Sequence, residues 1–164
     1  MKQFTSPNQK IGLAGENEAE LFLVKQRFTI VERNFSSKLG EIDLIAQKRE
    51  KLHFIEVKSI TVPRVTSLSI TDSTFSKVSR ETPIHNYKTN VSRETFLKEN
   101  RKIANPFQNI SVFKIRKLTR TILQYLKLHN LHRETKWQCD GIGVYLNQDL
   151  TLNKIEYIEH ITIR

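Results

Sequence analysis

Cysteine is almost missing from this chain: Cys139 is the single one in 164 residues. One thiol excludes a disulfide framework within the chain and a cysteine-based zinc site. Apolar residues are also scarce, at 38%, so part of the chain is expected not to pack into a core. Met1 to Lys10 is polar and holds no apolar signal core, and no apolar run approaches membrane-spanning length. A soluble cytoplasmic protein with no membrane association is expected. Acidic residues are outnumbered, 17 Asp+Glu against 27 Lys+Arg, for a net charge of +10 and an isoelectric point near 9.8. A charge that far from neutral favours a polyanionic partner, nucleic acid before an anionic surface.

What is present reads as one α/β domain with a break in it. Ile11, Ala19, Phe22 and Leu23 recur at helical spacing within Lys10 to Gln26, and Phe28 to Arg33 is rich in β-formers. Glu41 to Gln47 follows as a strand, and strict alternation puts Glu41, Asp43 and Ile45 on one face and Ile42, Leu44 and Ala46 on the other. After the polar turn Arg49-Glu-Lys51, Leu52 to Lys58 reads as its antiparallel partner, with Leu52, Phe54, Glu56 and Lys58 sharing a face. From about 61 to 109, Ser, Thr and Asn dominate and no apolar period holds, which suggests a long irregular or disordered insertion. Periodicity resumes with a helix whose stripe is Ile115, Leu118, Ile122, Leu123 and Leu126. Trp137 to Leu146 and Lys154 to Ile163 then read as strands. Helix, three strands, insertion, helix and two strands make an α/β sandwich around a mixed central sheet.

Two short motifs carry chemistry. Gly40-Glu-Ile-Asp-Leu44 is followed about a dozen residues later by Phe54-Ile-Glu-Val-Lys58. Asp43 and Glu56 on neighbouring strands could hold Mg²⁺ or Mn²⁺ through hard oxygen ligands. Lys58, on the same face as Glu56, could steady the charge on a phosphate, and Glu16 could bring a third carboxylate from the first helix. The alternative for so short a pattern is a salt-bridged sheet edge.

Gly12-Leu-Ala-Gly-Glu16 with Ala19, Val31-Glu-Arg-Asn34, Gly40-Glu-Ile-Asp-Leu-Ile45 and Phe54-Ile-Glu-Val-Lys58 together closely resemble the YraN family of small bacterial proteins. That family is similar to Holliday-junction resolvases and to restriction-endonuclease-like nucleases with a PD-(D/E)XK core. The resemblance runs through residues 10 to 60 and resumes in Lys114 to Leu126 and at Cys139-Asp140. It implies a restriction-endonuclease-like sandwich, a nuclease-like site of Glu16, Asp43, Glu56 and Lys58, and Lys114 near the phosphate, while Glu41 serves structure or the site. Arg116, Lys117 and Arg120 on the same helix are the accompanying phosphate contacts. Two departures stand out: Ile60 occupies the place where the family has an arginine, and the connection after Lys58 is unusually long.

Other features read more plainly. Val78-Ser-Arg-Glu-Thr82 recurs at Val91 to Thr95. Back-translated, the pentapeptide can read GTTTCACGTGAAACA, which resembles the palindrome bound by ParB partitioning proteins; chance duplication is the equal alternative. Cys139 reads as a buried strand residue and Trp137 as core. His129, His132 and His160 are too dispersed for a metal site. The readings in competition are a Mg²⁺-dependent endonuclease acting on DNA, a non-catalytic nucleic-acid-binding module with the same fold, and a protein-interaction role with incidental charge. An enzyme cutting two strands would be expected to form a homodimer.

Overall fold

Helix α1, Pro7–Lys25, starts a turn earlier than its apolar period because of its cap. Ser6 accepts from the Gln9 backbone, Gln9 returns the bond to Ser6, and Pro7 occupies the first turn. The helix stops where Arg27 adopts a left-handed φ of 64° and Phe28 N–H reaches back to the Leu23 carbonyl. Strands β1 (Thr29–Ser37), β2 (Gly40–Lys48) and β3 (Lys51–Thr61) follow as an antiparallel meander. Helix α2 is Val112–Leu128, capped by Ser111, and β4 (Lys136–Leu146) and β5 (Leu152–Ile158) close the chain.

The sheet has five strands in sequence order, antiparallel except for the parallel pair β3 and β4. This is the mixed sheet flanked by helices that was expected, as in restriction-endonuclease-like domains. The computed structural model describes residues 6–62, 106–107, 111–131 and 134–161. Most of the expected 61–109 insertion, and both copies of the repeated pentapeptide, lie outside the described residues. Its edges are within them: Thr61 completes β3, Val62 is buried and bonds to Leu146, and Phe107 lies against Gly141 and Gly143 of β4. Among the described residues no helix is long and apolar enough to cross a membrane.

Two cores sit on opposite faces of the sheet. Ala19 and Leu23 of α1 pack with Phe28, Leu44, Ile55, Val57, Ile142 and Val144. Leu118, Ile122 and Tyr125 of α2 pack with Phe35, Ile42, Ile45 and Phe54. Leu123 was expected in the α2 stripe but is exposed, and Thr121 and Tyr125 are buried instead. Trp137, expected in the core, stays about a third exposed with its ring edge-on to Phe54.

Strict alternation fails at one place in β2. Leu44 and Ala46 face α1 as expected, but Ile42 joins Ile45 on the α2 side. Its partner Phe35 makes the same change relative to Arg33, which points to α1 and bonds Glu20. Asn34 between them has φ 52°, and the β2–β3 ladder stops at Leu44. Asp43 therefore sits where the strand rotates out of its ladder. The last strand ends at Ile158 and the described residues 159–161 leave it, while the expected end at Ile163 lies outside the described residues. His160 has φ 54°, and its N–H goes to the Asp140 carboxylate instead of a neighbouring strand.

Candidate active site

Beyond the ladder's end, the Asp43 side chain replaces a backbone partner: its Oδ2 accepts the Val57 N–H at 2.7 Å. That bond aims the carboxylate across the end of the β2–β3 pair. Glu56, one residue earlier on β3, is 5% exposed, and its Oε1 accepts from two ammonium groups. Lys58 Nζ is 2.8 Å away, and Lys114 Nζ of α2 bonds to the same oxygen. Glu16 of α1 lies within Coulombic reach of Asp43. The structure thus brings Glu16, Asp43, Glu56, Lys58 and Lys114 together from four elements.

The electrostatics are those of a buried carboxyl with other charges close by. Burial, then the Glu56 charge, with Glu16 adding to them, push Asp43 from its ordinary 3.8 up to about 7, against the Val57 hydrogen bond and the Lys58 charge. For Lys58, burial acts to lower the pKa, but the hydrogen bond to Glu56 and the Glu56 and Asp43 charges outweigh it, so the ammonium is held above its ordinary value. A carboxyl pushed toward protonation by burial first and by neighbouring carboxylates second is a position that a divalent cation would relieve. Asp43 and Glu56 offer the hard oxygens such a cation takes. Among the described residues no three His, Cys, Asp or Glu side chains form a ready ion cage. An ion here would complete its shell with water or substrate oxygens, as Mg²⁺ commonly does.

The remaining expected residues lie outside this cluster. Arg116, Lys117 and Arg120 are on the exposed face of α2, and the Lys117 stem lies over Gly40. Glu41 is exposed opposite Ser36, near the β1–β2 turn. Ile60 is half-buried near the end of β3.

Comparison with known proteins gives the same stretch. The description "Uncharacterised protein family UPF0102" matches residues 15–82. A UPF0102 protein of Campylobacter hominis is 41% identical over 108 residues, which cover 63% of this chain and 95% of that protein. The chain belongs to the UPF0102 family. Shorter matches are to UPF0102 proteins of Campylobacter fetus (48% identity over 67 residues, 41% of this chain) and Campylobacter jejuni (64% over 47 residues, 29% of this chain). These alignments span 60% and 42% of the respective relatives. UPF0102 and the YraN family of the sequence resemblance are one family. In this UPF0102 chain Glu16, Asp43, Glu56 and Lys58 all fall inside the matched stretch, and Lys114 falls outside it.

Sequence reasoning missed one polar cluster. On the opposite face of β3 from Glu56, His53 Nδ1 lies 2.7 Å from Asp140 Oδ2. Asp140, fully buried, also accepts from Tyr157 Oη at 2.7 Å, Gln138 Nε2 at 2.9 Å and His160 N at 3.0 Å. The signal was available, since alternation in β3 already turned His53 away from Glu56. Nothing in sequence spacing pairs it with Asp140, 87 residues on.

Proposed function

We propose that this chain is a Mg²⁺- or Mn²⁺-dependent endonuclease that hydrolyses phosphodiesters in nucleic acid, DNA first, working in the cytoplasm. The observation that carries this reading is the buried Glu56 carboxylate beside Asp43 with two lysines on one of its oxygens. A divalent ion bound there would polarise the phosphate and lower the pKa of a bound water. Asp43 and Glu56 are the residues that would hold it. Lys58, with its raised pKa, stays an ammonium and can donate to a phosphate oxygen as negative charge develops. Lys114 stands on the α2 side of the same carboxylate and can turn to the incoming phosphate. Glu16 supplies a third carboxylate for holding or orienting water. Arg116, Lys117 and Arg120 on the outer face of α2, with the net charge of +10, support backbone binding. Cutting both strands of a branched duplex would call for two copies of the chain.

One observation favours a second reading, a nucleic-acid-binding module without catalysis. Lys58 and Lys114 already neutralise Glu56, so the cluster is electrostatically satisfied on that side without an ion. Assaying cleavage of duplex, single-stranded, flap and four-way DNA with Mg²⁺ or Mn²⁺ separates the two. Metal-dependent cutting that is lost in Glu56→Gln supports the enzyme. Salt-sensitive binding with no cutting under either metal supports the module.

A further inference from the structure

The outer face of α2 carries more than charge. Phe113, in the first turn of the helix, is 75% exposed, the most exposed of the large apolar side chains in the described residues. It immediately precedes Lys114, which bonds to Glu56. Arg116, Lys117 and Arg120 follow it at the i+3, i+4 and i+7 positions, so the four lie on one stripe. No acidic residue occurs in Val112–Leu128. Among the described residues none of these three cations forms an ion pair. The exposed phenyl ring thus stands among unpaired cations, next in sequence to a residue of the carboxylate–lysine cluster.

We propose that Phe113 is a stacking platform for an unpaired base, and that the α2 stripe selects nucleic acid with single-stranded or splayed nucleotides. This rests on the nuclease-like reading above. The charge of the stripe names a polyanion, and the ring names a polyanion with flat apolar faces. A base within a duplex has both faces covered by its neighbours, whereas an unpaired base offers a free face, and base–aromatic stacking is tolerant of sequence. Phenylalanine has no polar group to read base edges, so the contact distinguishes strand state and not base identity. The cations hold the sugar–phosphate chain while the ring takes the base, and the strand is thereby set beside Lys114 and Glu56.

The test uses the full chain without divalent metal, and fluorescence anisotropy with labelled oligonucleotides of equal length: a thymidine strand, its abasic counterpart and a duplex. Phe113→Ala is expected to weaken binding of the thymidine strand about tenfold and to leave the abasic strand and duplex unchanged. Phe113→Trp is expected to retain tight binding. Arg116→Gln with Arg120→Gln is expected to weaken all forms alike and to flatten the salt dependence. Equal loss on all forms with Phe113→Ala, or no loss on any, overturns the stacking role while nucleic-acid binding stands. Sedimentation that finds a dimer dissolved by Phe113→Ala overturns it in favour of a second copy of the chain. If wild type binds none of the forms, the nucleic-acid reading falls together with this one.

Discussion

Gly15 of α1 and Ser59 of β3 meet so closely that a Cβ added to Gly15 would lie 1.6 Å from the Ser59 hydroxyl oxygen and 2.6 Å from its Cβ. Gly15 directly precedes Glu16, and Ser59 directly follows Lys58. The contact sets the distance between helix and strand at the point where Glu16 approaches Asp43.

Gly15→Ala should therefore destabilise the protein, although alanine is favoured over glycine within a helix by up to about 1 kcal/mol. Overpacking costs about 1–3 kcal/mol and wins, because the clash includes Ser59 Cβ, which no rotamer change removes. Metal affinity should fall with it as Glu16 is pushed away. Ser59→Gly in the same chain should restore both, while Ser59→Ala should not. Urea denaturation and calorimetric Mn²⁺ titration of wild type and the three variants check this; equal behaviour of the two Ser59 variants would contradict it.

Glu56→Gln keeps the shape of the side chain and removes a charged ligand. Metal affinity and cleavage should both drop, while nucleic-acid binding persists. Identical Mn²⁺ titrations for wild type and variant would count against Glu56 as a ligand.

Lys58→Ala removes one positive charge of many. Binding should weaken modestly, with the salt slope falling by about one unit at most. Cleavage should fall far more, by about 10²–10³. A variant that cuts at the wild-type rate would leave Lys58 a structural residue.

The raised pKa of Asp43 gives a pH dependence with a definite sign. The folded protein holds this proton up to about pH 7, while the unfolded chain releases it near 3.8. Between those values the native state binds more protons, so this contribution to stability is complete below pH 3.8 and is lost as pH rises through 7. Metal-free protein should thus lose some stability from pH 5 to pH 8, and added Mn²⁺ should stabilise more at the higher pH, where the carboxylate is free to bind. Asp43→Asn should flatten both trends. Denaturation midpoints across that range, with and without chelator, report the slope, and a rising metal-free slope that is the same in wild type and Asp43→Asn would refute the assignment.

Asp140→Ala should be among the most damaging substitutions, costing about 1–3 kcal/mol for each buried donor left unsatisfied. It strands the donors of Tyr157, Gln138 and the His160 backbone and removes the nearer of the two hydrogen-bond partners of His53 Nδ1. Thermal unfolding measures the loss. A drop below about 1 kcal/mol would mean that water replaces the carboxylate.

Much of this was legible in the chain. Ser6, Pro7 and Gln9 start α1 through bonds that span a few residues, and the alternation in Leu52–Lys58 places Glu56 and Lys58 together. Helix caps and strand alternation are local properties of the backbone, so sequence by itself determined the elements and most of the carboxylate–lysine constellation. The turn of Ile42 to the α2 face, the end of β5 at Ile158, the Asp140 cluster and the Gly15–Ser59 approach were decided only by tertiary structure. Each depends on what a distant segment presents: Phe35 across the sheet, Asp140 beneath His160, Tyr157 beside His53, Ser59 under α1. Alternation says which way a side chain points from its own strand, but not what it meets there, and the pKa of Asp43 follows from what it meets.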